Sequence, residues 1–133
     1  MIIDYNLQFS DAQAVTADAA STNVVDLGGD FDIGPGEDMK LAFSCDVAMG
    51  GSSPTVIFKL QTCATVGGTY IDIATSRQVA AMAAGDMVIM GIPDTNLQFI
   101  RAYYDVGGSS PTGTFSASIV KDGQQWAAYA DAI

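Results

Sequence analysis

The sequence predicts an all-β fold: a single-domain, jelly-roll-like antiparallel β-sandwich with extended N- and C-terminal arms. Three observations predict it. Helix formers are scarce: fourteen of the fifteen acids are Asp, only Glu37 is glutamate, and five basic residues stand beside fourteen glycines. Asp and Gly suit turns and caps and are poor in helix interiors. Several segments alternate apolar and polar residues with period two, the mark of a half-buried strand. Finally, Gly-Gly-Ser-Ser-Pro-Thr occurs twice, at residues 50–55 and 107–112, each time after an Asp-Val pair and between alternating segments. Glycine permits positive φ, and proline fixes its own φ and lacks a donor. Such clusters read as hairpin connections, so the repeat predicts two similarly built hairpins.

Taken in order, residues 1–20 read as an extended arm in which Tyr5, Leu7 and Phe9 alternate with Asn6, Gln8 and Ser10. Residues 11–20 are polar and small, with no apolar stripe to hold a helix. The sandwich spans residues 21–121. It starts with a short strand at 21–27 and a loop at 28–38 rich in turn formers. Residues 39–49 give the cleanest alternation: Met39, Leu41, Phe43, Cys45, Val47 and Met49 on one face, with Lys40, Ala42, Ser44, Asp46 and Ala48 on the other. Beyond the first repeat Val56, Phe58 and Leu60 continue inward, Lys59 and Gln61 face out, and Ile57 breaks the pattern. Strands follow at 70–74 and 86–92, separated by an Ala/Met-rich connector at 77–85. The second hairpin uses 97–106, with Ile100, Ala102, Tyr104 and Val106 on one face, and 114–121, with Phe115, Ala117 and Ile119. Residues 122–133 form an Ala-rich tail carrying Trp126 and Tyr129. About eight short strands with turn chemistry between them are the signature of a sandwich, jelly roll or barrel.

A chain of 133 residues builds one domain with a real core and needs no metal or disulfide staple. Its net charge of −10, with Lys40, Lys59, Arg77, Arg101 and Lys121 scattered singly, argues against nucleic acid and against an anionic membrane. Residues 1–4 lack the basic flank and apolar stretch of a secretory signal. The longest apolar run, around 79–92, is broken by Asp86 and is too short to span a bilayer. Cys45 and Cys63 read as buried free thiols in a reducing compartment, with a disulfide across the first hairpin as the alternative.

Histidine is absent, which removes the usual general base, proton switch and metal ligand together. No catalytic, cofactor-binding or metal-binding residues are therefore assigned, and no enzymatic activity is expected. Asp26, Asp30, Asp32, Glu37 and Asp38 cluster, and calcium is the natural ion for such a loop. Counted from Asp30, however, the twelfth position is Leu41 where an EF-hand needs Glu. The loop reads as solvated acid, with a divalent-ion site as the alternative. Tyr5, Leu7 and Phe9 in the first arm and Trp126 and Tyr129 in the tail are the candidate partner contacts. Extended arms dock by strand addition, and Trp and Tyr favour interface centres.

Residues 4–16, Asp-Tyr-Asn-Leu-Gln-Phe-Ser-Asp-Ala-Gln-Ala-Val-Thr, then Ser-Thr-Asn-Val-Val-Asp-Leu-Gly at 21–28, carry a resemblance. So do Leu60-Gln61-Thr62-Cys63, Gly67-Gly68-Thr69-Tyr70 and residues 97–104. Across nearly the whole chain this pattern resembles a family of tailed-bacteriophage capsid cement, or decoration, proteins similar to that of a Bordetella podophage. The resemblance implies a jelly roll made in the bacterial host cytoplasm and seated on the virion capsid surface. Its partner would be the major capsid protein, and it would act as a homo-oligomer, a dimer or alternatively a trimer. The implied function is non-enzymatic: cementing neighbouring capsomers. The alternative is a carbohydrate- or host-surface-binding module on a virion, using the two repeated loops and Tyr103/Tyr104 as a platform.

Overall fold

The computed structural model describes residues 3–29 and 39–121. After one 3-10 turn (Tyr5–Leu7) come eight strands: β1 (Gln8–Val15), β2 (Ala19–Ala20), β3 (Val25–Asp26), β4 (Lys40–Cys63), β5 (Ile71–Thr75), β6 (Val79–Ala80), β7 (Met87–Gly91) and β8 (Phe99–Val120). All pairings are antiparallel and belong to one sheet. The all-β expectation holds.

The two hairpins do not. Each Gly-Gly-Ser-Ser-Pro-Thr lies inside a long strand: β4 has 24 residues and β8 has 22. The two strands pair with each other from Lys40↔Val120 to Cys63↔Phe99, and the repeats meet at the middle: Gly50↔Thr112, Ser52↔Ser109, Thr55↔Gly107. Register shifts cluster there, so the ladder bends where the copies cross. The correspondence is two-fold. Gly51 and Gly108 have φ of 106° and 105°, and Ser53 and Ser110 both have φ of 51°. A Cβ on Gly51 would sit 2.5 Å from the Ser110 carbonyl oxygen, and one on Gly108 would sit 2.6 Å from that of Ser53. Glycine is required at both places by conformation and by space.

The bend doubles the ribbon over. A straight strand between positions 43 and 58 would span roughly 50 Å, yet the Phe43 and Phe58 rings stack with centroids 4.5 Å apart. One layer runs β7, the first half of β4, the second half of β8, then β1. The other runs β5 and β6, the second half of β4, the first half of β8, then β2 and β3. The strands that precede β4 pair with β8, and those that precede β8 pair with β4. Each segment is thus stitched to the long strand of the other.

The core lies between the layers. Phe43 stacks on Phe58, Tyr104 stacks on Phe115 at 5.4 Å, and edge contacts of 5.5 to 6.1 Å join the two stacks. Both stacks link one layer to the other, a geometry worth about 1 kcal/mol per pair beyond area burial. Leu41, Val56, Leu60, Ile100 and Ile119 complete it. Ala42, read as outward, is buried as well, but the inward face of Leu41, Phe43 and Cys45 holds as far as Cys45. There a bulge opposite Thr114 lifts Asp46 out of register and turns Val47 to solvent, 59% exposed.

Residues 8–20 are part of the sheet, not a free arm. Gln13 latches this stretch: its side chain accepts from Thr22 N–H at 3.0 Å and from Ser10 Oγ at 2.7 Å, and donates to Ala20 O at 2.9 Å. Asp18 accepts from Val106 N–H at 2.9 Å. Cys45 and Cys63 are both buried and free.

Replacing Gly51 or Gly108 by Ala should each destabilise the protein by about 2 kcal/mol or more. Because the two sites are two-fold equivalents, the shifts in denaturant midpoint should match. A neutral result at either would contradict the bend described here.

Candidate functional site

Period-two alternation puts Lys59 and Gln61 of β4, and Arg101, Tyr103 and Asp105 of β8, on the side of their layer away from the core. The register sets Lys59 opposite Tyr103 and Gln61 opposite Arg101. β5 then brings Asp72 beside Gln61. The result is a linked polar net. Lys59 Nζ lies 3.0 Å from Asp105 and 3.5 Å from Asp72. Gln61 donates to Asp72 at 2.7 Å and accepts from Arg101 Nε at 2.8 Å. The Arg101 guanidinium stacks 3.8 Å from the Tyr70 ring centre, and both Lys59 and Arg101 flank Tyr103 at 6.0 Å. Hydrogen bonding to Asp105 is the main cause that raises the Lys59 pKa, with partial burial opposing it. Each exposed pair is worth under about 1 kcal/mol. The net fastens β5 to the central ribbon and leaves its charges mutually satisfied. These residues were legible only as outward-facing positions; their meeting depends on which strands pair.

Other groups with displaced proton affinities have structural causes. Asp26 is held below the usual carboxylate range by Gln98 and then by the Gly28 N–H, which donates to it at 2.8 Å. Burial pushes the Cys45 thiol up, and neighbouring Asp46 and Asp86 add to it. Burial likewise raises Tyr70 and, much more, Tyr104. The Tyr104 hydroxyl has no partner of hydrogen-bonding geometry. Ser10 beside it offsets only part of the burial effect and gives its own proton to Gln13. Among the described residues no three His, Cys, Asp or Glu side chains gather to hold a metal. The rest of the acidic cluster (Asp30, Asp32, Glu37 and Asp38) lies outside them.

The candidate contacts separate. Tyr5 is 81% exposed and Ile3 is also exposed, on a turn whose start is capped by Asp4, which accepts from Asn6 N–H at 2.9 Å. Leu7 is half-buried against the core, and Phe9 is fully buried within it. Phe9 is therefore a core residue and is not available to a partner: β1 docks on β8 and turns that side chain inward. Trp126 and Tyr129 fall outside the described residues. Tyr103 and Tyr104 face opposite sides of β8, and Tyr104 is fully buried. The two-tyrosine platform is therefore absent, as are the two loops that were to flank it. The sequence reading passed over an open groove of about 450 Å³ beside β6 and β7, lined by Arg77, Met82 and Met87 among others. Its one signal was the uncharged apolar run of β7.

Removing the Tyr104 hydroxyl (Tyr104→Phe) should leave stability at pH 7 unchanged or raise it by up to about 1 kcal/mol, because an unpaired buried hydroxyl is costly. The folded pKa of Tyr104 lies above its ordinary value of 10.0. Stability from holding it neutral is thus complete below pH 10 and lost as pH rises beyond it. The variant should decline less steeply than the native protein in alkaline denaturation. A loss above 1 kcal/mol at pH 7 would show that the hydroxyl is bonded after all.

The family model described as Bbp16 matches residues 9–119. No curated protein matches the chain.

Proposed function

The chain belongs to the Bbp16 family, a Bordetella phage protein family, and from that premise we propose that it is a non-enzymatic structural protein of the virion that binds the outside of the capsid and cements neighbouring capsomers. Family membership carries the reading. The interleaved layer orders, β7–β4–β8–β1 and β5/β6–β4–β8–β2/β3, are what two Greek keys wrapped on one another produce, and they favour a jelly roll. A cement must carry load. β4 and β8 each run through both layers, so a pull on one layer passes along covalent backbone into the other.

Charge favours the outer surface, since a protein of net charge −10 is repelled by packaged DNA. No helix among the described residues is long and apolar enough to cross a membrane. The partner is the major capsid protein, and a homo-oligomer, dimer or trimer, would repeat weak contacts over the shell so that they add by multivalency. Tyr5, exposed on the turn that leads into β1, is the contact among the described candidates.

Capsids lacking this protein should bind the purified chain, co-sediment with it and rupture at a higher temperature. Tyr5→Ala should weaken that binding while leaving the unfolding midpoint unchanged. Absence of co-sedimentation, together with an unaltered rupture temperature, would end the reading.

A further inference from the structure

We propose that this chain is two half-domains fused in tandem, each completed only by the other, and that a second copy of the chain can supply the missing half, closing two chains into an exchanged dimer through the loop at residues 64–70. This concerns how one chain completes another, whatever the pair binds, and so stands apart from the shell reading.

Among the described residues every strand pairing joins the first four strands to the last four. β1, β2 and β3 pair with β8, β5, β6 and β7 pair with β4, and β4 pairs with β8. No described strand pairs with another of its own half. The halves are also counterparts. With β4 laid on β8 so that Gly50 falls on Gly107, the pair Val25↔Ile100 falls on Val88↔Phe43, and Val15↔Gly113 falls on Val79↔Val56. Even an irregularity repeats. β1 shifts register between Gln8 and Ser10, opposite Ser118 and Ala117, as β5 does between Asp72 and Ala74, opposite Gln61 and Leu60. Each half brings one ring stack to the core, Phe43 on Phe58 and Tyr104 on Phe115, and the three edge contacts run between the halves.

Apart, a half would leave a strand of 24 or 22 residues without its ladder of hydrogen bonds. The complementary half is the specific remedy, and every copy of the chain carries both. In an exchanged dimer the contacts between halves are those of the single chain, so only the connection differs. That connection is a surface loop. Residues 64–69 are exposed, and the bonds within the loop include Gly68 N–H to Thr65 O at 3.1 Å and the Tyr70 hydroxyl to Val66 O at 2.9 Å. As a short tether it favours closure within one chain up to an effective concentration on the order of 1 mM. Deleting residues 64–69 removes that preference. It leaves Cys63 and Tyr70 to turn β4 into β5, where a two-residue hairpin calls for residues that accept positive φ.

The tests use the whole chain. Deleting residues 64–69 should give a folded dimer of twice the 13.8 kDa chain mass, and lengthening the same loop with Gly and Ser should give a monomer. Refolding the unaltered chain from denaturant at about 1 mM should also give a dimer fraction. Native monomers mixed without unfolding should give none, because exchange requires every strand pairing to break. A protease site placed in the loop then separates exchange from surface contact. A cut exchanged dimer falls to units of one chain's mass, each a pair of complementary fragments, whereas a dimer held by surface contact keeps its size. A deletion variant that folds as a monomer, a dimer that keeps its size after cutting, or no dimer on refolding would each overturn the proposal. If the deletion variant does not fold, the refolding and cutting measurements decide alone.

Discussion

Two copies of one six-residue segment approach so closely that neither tolerates a side chain at its second glycine, and the architecture depends on that crossing. Where Gly51 lies against the Ser110 carbonyl and Gly108 against that of Ser53, the paired strands β4 and β8 can bend without losing register altogether. Glycine at these two positions meets backbone atoms of the opposite copy, not the ends of side chains. Here it lets two backbones come within a distance that a Cβ would forbid. Because the bend is built from both strands at once, each copy completes the other.

The aromatic cluster follows from the bend. Phe43 and Phe58 share a strand, as do Tyr104 and Phe115, yet each ring stacks on a partner from the opposite layer. The same fold sets the outer surface. Once β4 and β8 are paired and doubled, Lys59 and Arg101 fall on one outward face, and β5 closes over them with Asp72 and Tyr70. Shape, core and outer surface are consequences of one constraint.

Period-two patterning was readable because side chains alternate faces whatever the strand later pairs with. It placed Leu41, Phe43, Cys45, Val56, Phe58, Leu60, Ile100, Ala102, Phe115 and Ile119 inward, and all of them are buried. It failed at Val47, because a bulge depends on the partner strand and leaves no local mark. It also misjudged Phe9: the alternation with Tyr5 and Leu7 is real, but the partner that covers Phe9 is β8, about a hundred positions away. The paired tyrosines Tyr103 and Tyr104 could not form a platform for the same reason that alternation works: neighbours on a strand point apart.

By itself the sequence determined the strand content, the inward positions of the long segments, and the importance of the repeated Gly-Gly-Ser-Ser-Pro-Thr. Only the tertiary structure decided that the repeat is a mid-strand bend and not a pair of turns. Glycine and proline report which φ angles a segment can adopt, and a hairpin and a sharply bent ribbon demand similar ones. The difference lies in whether the flanking strands pair with each other or with the other copy. That choice is made by long-range hydrogen bonding and ring packing, to which no local pattern is sensitive.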